Sequence, residues 1–223
     1  MDVQAPLRDY QSFYFKDFES SYIPQILKEI YIDAIYHKFL VGKRNLTICD
    51  WGANIGLTAY YFSKYAQKVY AVEPAKSHYT ALGRMILQCG IDNIVICPYA
   101  IGNTDTKSKF YHNDNTTMYS LKDSVNKKDD FEMVEVLTAE TFLSRNKIDT
   151  VDFLKMDLEG FESEVIASES FRKVAHRFKV IVGEWHSWGA MGKGAFMDCF
   201  DSLGFQFNWL GNTEATVFSA VRL

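Results

Sequence analysis

No stretch of this 223-residue chain stays apolar long enough to cross a bilayer. The first residues, MDVQAPLRDYQSF, carry acidic and polar side chains where a secretion signal needs an apolar run. Both absences point to a cytoplasmic protein. A basic excess is missing too: 24 Lys and Arg stand against 28 Asp and Glu, for a net charge of −4. That balance argues against broad binding to nucleic acid or an anionic membrane, which needs a basic face. The four cysteines, Cys49, Cys89, Cys97 and Cys199, form no C-x-x-C pair and are expected as buried thiols in a reducing compartment.

What remains is ordinary for a globular protein, with 48% hydrophobic and 23% charged residues. The length suits one α/β domain with an N-terminal extension, and no second domain is needed. Aromatic residues reach 15%, with 17 Phe and 13 Tyr, which predicts a core of large side chains.

The most informative stretch is LTICDWGANIGLTAYYFSKYAQKVYAVEP, Leu46 to Pro74. Leu46 to Asp50 is a short apolar run that stops at a carboxylate and two glycines, the pattern of a buried parallel strand ending in a ligand-binding turn. Gly52 and Gly56 let a ligand approach the backbone closely. Leu57 to Tyr65 then has apolar residues at helical spacing. Val69 to Val72 makes a second strand ending at Glu73, about 20 residues past the first turn, where an acidic residue accepts bonds from ribose hydroxyls. The dinucleotide fingerprint G-x-G-x-x-G needs three glycines to bring amides onto a pyrophosphate. Asp50-Trp51-Gly52-Ala53-Asn54-Ile55-Gly56 supplies only two and leads with an acid. That carboxylate repels a pyrophosphate and suits a cation, such as the amino group of S-adenosylmethionine, which disfavours a nicotinamide dehydrogenase.

Along the rest of the chain, Ile23, Leu27, Ile30, Ile35 and Tyr36 recur on one helical face, so residues 1–42 read as a helical extension that covers the cofactor edge or forms a homodimer contact. Residues 43–223 make the remaining domain. Leu82, Met85, Ile86 and Cys89 mark a helix stopped by Gly90. Ile94 to Cys97 is a third strand leading to Pro98-Tyr99-Ala100. Residues 102–130 read as an insertion, with an exposed strand over Lys107 to Tyr111, a turn at Asn113 to Thr117 and a solvated Lys127 to Asp130 loop. Met133 to Leu137 is a strand and Ala139 to Ser144 a helix. Val151 to Asp157 and Lys179 to His186 are the fourth and fifth core strands. Phe205 to Leu210 and Thr216 to Val221, joined too tightly for a crossover, form an antiparallel pair.

Parallel βα units closed by an antiparallel hairpin are the order of elements in Rossmann-like methyltransferases, and D-x-G-x-N-x-G with a downstream Glu-Pro resembles their nucleotide motifs. Lys155-Met156-Asp157-Leu158-Glu159-Gly160-Phe161-Glu162 is similar to the K-x-D-x-E-G-x-E signature of the FkbM methyltransferase family. The resemblance runs from about Leu46 to the C-terminus. It implies that Asp50 and the backbone of Gly52, Ala53, Asn54 and Gly56 hold the methionine part of S-adenosylmethionine, that Glu73 holds the ribose, and that Tyr99 and Ala100 hold the adenine. Trp51 stands where the family has an aliphatic residue and is expected to fill core. The resemblance also implies O-methylation of a hydroxyl on a sugar, glycan or natural product. The strand-end N-P-P-Y that similar enzymes use on base or amide nitrogens is absent.

Methyl transfer from a sulfonium is an in-line displacement, so the enzyme aligns a hydroxyl and removes its proton. His186, at a strand's C-terminal end beside Glu184 and Asp157, is the expected general base. Asp157, Glu159 and Glu184 are also oxygen donors of the kind Mg²⁺ takes. The competing expectation is an ion-pair network through Lys155. Two other functions remain: an RNA ribose 2′-O-methyltransferase, which the Lys155 and Asp157 pair fits, and a non-catalytic nucleotide-binding module.

Overall fold

The computed structural model describes residues 23–111, 121, 131–211 and 216–223. The expected Asn113 to Thr117 turn, the Lys127 to Asp130 loop and the start of the helical extension lie outside these described residues. In chain order the first half holds α1 (Ile23–Tyr31), α2 (His37–Leu40), β1 (Leu46–Trp51), α3 (Leu57–Ser63), β2 (Ala66–Val72), α4 (Lys76–Cys89), β3 (Ile94–Cys97), β4 (Ala100–Gly102) and β5 (Thr106–Tyr111). The second half holds β6 (Phe131–Thr138), α5 (Ala139–Arg145), β7 (Phe153–Met156), α6 (Glu162–Ala167), α7 (Glu169–Val174), β8 (Val180–Glu184), α8 (Lys193–Ser202), β9 (Phe205–Trp209) and β10 (Val217–Arg222).

Seven strands form the central sheet in the order β3-β2-β1-β7-β8-β10-β9. The first five are parallel to their neighbours, and β10 runs antiparallel between β8 and β9. The expected α/β class and closing hairpin are therefore present. Both faces of the sheet are covered, which is why its strands read as nearly continuous apolar runs. Along β1 the side-chain period of two sends Ile48 into the cluster under α1 to α4, and Cys49 and Trp51 into the cluster under α5 to α8. Trp51 fills core there, edge-on to Phe142 and Phe178 at 5.6 and 5.7 Å.

Three features differ from the sequence reading. Cys89 is exposed, because it is the last residue of α4, one step before the left-handed Gly90 turns the chain off the sheet; the other three cysteines are buried. Ala100–Gly102 pairs parallel to β6 in a separate three-stranded sheet, β4-β6-β5, and three residues are too few to show a period. The fifth core strand stops at Glu184, so Trp185 and His186 belong to the loop beyond it. No helix among the described residues is long and apolar enough to cross a membrane.

Candidate active site

β1 and β7 are neighbours, and their crossovers leave in opposite directions, to β2 on one side and β8 on the other. Open parallel sheets bind ligands at such a divide, beyond the carboxyl ends of the strands. A cavity of about 240 Å³ lies there. Its lining includes the apolar side chains of Ala100, Ile101, Phe110 and Leu121 and the charged ones of Glu29, Glu73, Lys155, Asp157, Glu159 and Glu184.

The glycine loop after β1 is held by its own backbone. Gly52, Asn54 and Gly56 all have left-handed φ, at 82°, 50° and 94°. The amides of Gly52 and Ala53 both donate to the Val72 carbonyl, at 3.0 and 2.9 Å. A Cβ on Gly52 would collide with the carbonyl oxygen of Asp157, so this close approach of the two loops requires glycine. Glu73, expected at the ribose, is on the cavity wall with its carboxylate already engaged. Oε2 accepts from the Asn54 amide and Oε1 from the Ala75 amide, each at 2.9 Å, and His78 Nδ1 lies 3.5 Å from Oε1. The residue thus fixes the left-handed turn as well as facing the cavity.

Asp50 and Lys155 are opposite one another in the β1–β7 register. Both are buried, on the face toward α3. Thr58 Oγ1 donates to Asp50 Oδ2 at 2.6 Å, while Lys155 Nζ donates to the Gly52 carbonyl at 2.7 Å and lies 3.2 Å from Asp157 Oδ2 and 3.6 Å from Asp50 Oδ1. Burial alone lowers the lysine pKa, but the two carboxylates outweigh it and the ammonium form is favoured. Between those acids, burial raises Asp50 despite its lysine, whereas the charges of Lys155 and His186 bring Asp157 below the ordinary range even against burial. Asp50 does not reach the cavity wall. The cation it faces is Lys155, which changes the expectation that it meets a cofactor amino group directly.

The loop after β7 is a second nest of charge. Glu159 stands at φ 51° and Gly160 at 94°. An acidic side chain at left-handed φ is uncommon and marks local strain. Glu162, almost fully buried, accepts through Oε1 from the Leu158 and Gly160 amides at 2.6 and 3.3 Å, and from His186 Nδ1 at 3.0 Å. His186 Nε2 is 3.6 Å from Glu159 and 3.9 Å from Asp157. Burial opposes the imidazolium, yet the bond to Glu162 and the charges of Glu162, Asp157 and Glu159 push its pKa up to about 9. His186 is therefore charged at neutral pH and off the cavity wall, so it is poorly placed to act as the expected base. Glu159, on the wall, is raised by burial and by Asp157 to about 8 in spite of His186. Glu184 is also on the wall, with its pKa raised by burial and by Asp157, and Oε1 accepts from Thr216 Oγ1 at 2.9 Å.

Two more expectations change. Tyr99 points into the core beneath the sheet, where its ring meets Phe142 and its hydroxyl accepts from Asn146; only Ala100 of the expected adenine pair lines the cavity. The donors close enough to share an ion are Asp157, Glu162 and His186, within 4.8 Å, and not Asp157, Glu159 and Glu184. Lys155 and His186 already supply positive charge to these carboxylates, and His186 is itself favoured as a cation, so the set does not fit Mg²⁺. Sequence reasoning missed Thr58, Glu162 and Glu29. Glu162 had a signal, as the last acid of the strand-end signature; Thr58 and Glu29 had none.

The cavity fits S-adenosylmethionine. Its apolar lining suits a base, Glu73 is on its wall, and its acidic lining, where buried Asp157 Oδ1 has no hydrogen-bond partner, suits a sulfonium and an ammonium. Solved structures share the fold. A FkbM methyltransferase from Methylobacillus flagellatus is 14% identical with a TM-score of 0.53, covering 99% of this chain and 60% of that one. A Streptococcus mutans protein in complex with SAH is 14% identical with a TM-score of 0.54, covering 86% of this chain and 97% of that one. An rRNA methylase from Streptococcus thermophilus is 12% identical with a TM-score of 0.51, covering 87% and 96%. No functionally curated protein matches. The model of the methyltransferase FkbM domain matches residues 50–207, and the chain belongs to that family of S-adenosylmethionine-dependent methyltransferases.

Proposed function

We propose that this methyltransferase acts on a hydroxyl of a small-molecule or glycan acceptor, with Glu159 taking the proton. The observation that carries the reading is the Glu159 carboxyl on the cavity wall, with a pKa held near 8 by burial and by Asp157. A base with a pKa near the working pH is more effective than an ordinary carboxylate. S-adenosylmethionine supplies a methyl group on a sulfonium, which the acceptor oxygen displaces while the electron pair of the C–S bond stays on sulfur. Glu159 accepts the hydroxyl proton, and positive charge nearby favours its ionised form. Asp157, kept ionised by Lys155 and His186, adds negative charge where the sulfonium is best stabilised. Gly52 and Asn54 offer backbone to the methionine part, Glu73 accepts from the ribose, and Ala100, Ile101 and Phe110 enclose the base. Residues 1–42 serve as an extension to the 43–223 methyltransferase domain, with α1 supplying part of the wall.

An acidic wall also disfavours an RNA acceptor, whose phosphates it repels. The test is methyl transfer to a panel of hydroxylated small molecules and oligosaccharides, with NMR placing the new methyl. An oxygen-linked methyl whose formation falls with Glu159→Gln supports the reading. A nitrogen- or carbon-linked methyl, or transfer to RNA alone, overturns it.

A further inference from the structure

The cavity wall carries more negative charge than the cofactor chemistry accounts for. Five acidic residues line the cavity: Glu29, Glu73, Asp157, Glu159 and Glu184. Glu73 is taken up by two amides and faces His78, Asp157 has Lys155, and Glu159 faces His186. Glu29 and Glu184 are different. Gln25 Nε2 donates to Glu29 at 3.2 Å and Thr216 Oγ1 to Glu184 at 2.9 Å, and among the described residues neither carboxylate has a cation at ion-pair distance. Both are partly desolvated, which holds their pKa values above the ordinary range.

Their positions also differ from those of the cofactor-facing groups. Glu184 ends β8, one strand beyond β7, and Glu29 comes from α1, which crosses the cavity from outside the 50–207 family segment. The glycine loop and Glu73 belong to the β1 and β2 side of the divide. Two wall carboxylates close enough for Glu29 to raise the pKa of Glu184, neither ion-paired among the described residues, form a recognition site for a positive group.

We infer that the acceptor is a hydroxylated amine, such as an amino sugar or aminocyclitol, whose ammonium group is held by Glu29 and Glu184. This rests on the O-methylation reading and narrows it to a substrate class. A neutral polyol leaves the two carboxylates desolvated and unpaired, whereas an ammonium satisfies both. Glu29 is then a specificity determinant brought in by α1.

The experiment uses the full chain, S-adenosylmethionine, and glucosamine and 2-deoxystreptamine, each beside its N-acetylated form, which keeps hydroxyls but loses the charge. The free amines are expected to have kcat/KM at least tenfold above their acetylated forms. Glu29→Gln should shrink that ratio toward one through KM, while calorimetric affinity for S-adenosylmethionine stays within about threefold. Equal or better turnover of the acetylated forms overturns the inference and leaves the O-methylation reading standing. So does a Glu29→Gln variant that keeps the ratio, or one that loses cofactor affinity instead, which would assign Glu29 to the cofactor's own ammonium. If no form gains a methyl on oxygen, the O-methylation reading fails and this inference with it.

Discussion

The two loops at the heart of the site solve the same problem in opposite ways. The loop after β1 holds its shape with amides: Gly52 and Ala53 donate to Val72, and Asn54 is fixed by Glu73. The loop after β7 holds its shape with charge: Glu162 accepts two amides and an imidazole, and His186 faces three carboxylates. Each carries one residue other than glycine at left-handed φ, Asn54 in the first and Glu159 in the second. Asparagine tolerates that conformation, while glutamate is strained by it. The first loop is therefore settled by bonds within the protein. The second stores strain and the raised pKa values of Glu159 and His186. Lys155 ties them together, donating to Gly52 of one and neutralising Asp157 of the other.

The sharpest way to separate the loops is Glu159→Gln. It should lower turnover by a factor on the order of 10² to 10⁴ with cofactor affinity retained. Wild-type activity should rise with pH through about 8, as Glu159 ionises. Stability should move the other way. Because the folded pKa is raised above the ordinary 4.5, the contribution of Glu159 is fully present below pH 4.5 and is lost as pH climbs through about 8. Denaturant titrations across that window should show a decline that Glu159→Gln flattens. His186 adds a second decline of the same sign, between 6.5 and about 9.

Cutting the tie comes next. Lys155→Met leaves Asp50 and Asp157 buried without their cation and should cost about 3–5 kcal/mol, measured by urea unfolding. Adding Asp50→Asn should recover part of that loss; strict additivity would mean the two residues do not interact. Gly52→Ala attacks the contact between the loops and should cost about 2–4 kcal/mol, with cofactor binding lost, because both the left-handed φ and the clash with Asp157 oppose a Cβ. A stable variant with normal affinity would show that the loops can part.

Glu73→Ala frees the Asn54 and Ala75 amides and should weaken S-adenosylmethionine binding by about ten- to a hundredfold, read by calorimetry. The smallest effect belongs to His186→Gln. As an imidazolium off the cavity wall it should cost turnover only several-fold, and a loss matching that of Glu159→Gln would restore it as the base.

Much of the first loop was legible in advance, because its logic is local. Strand, glycine turn, helix and a second strand ending in an acid lie within about 30 residues of sequence, and each step has a periodicity or a special φ that residue types announce. The second loop announced its charges without its roles. Asp157, Glu159, Glu184 and His186 were all visible at strand ends, but which of them is protonated depends on neighbours from other elements. Glu162 turns His186 into a cation and away from the cavity, and β8 ends two residues earlier than its apolar run suggested. Tyr99 was misplaced for a similar reason: the turn after β3 is so tight, with the Tyr99 amide donating to Cys97, that its side chain falls to the core while Ala100 takes the cavity side.

By itself, the sequence determined the α/β class, the order of βα units, the closing hairpin and the glycine loop, because these follow from short-range pattern and from backbone conformations that only certain residues adopt. Tertiary structure alone decided the chemistry. Asp50 meets Lys155 through the β1–β7 register across 105 residues of chain, and α1 carries Glu29 to a cavity formed by elements that follow it. A carboxylate's charge depends on the solvent it has lost and the cations it has gained, and both are set only when distant segments pack together.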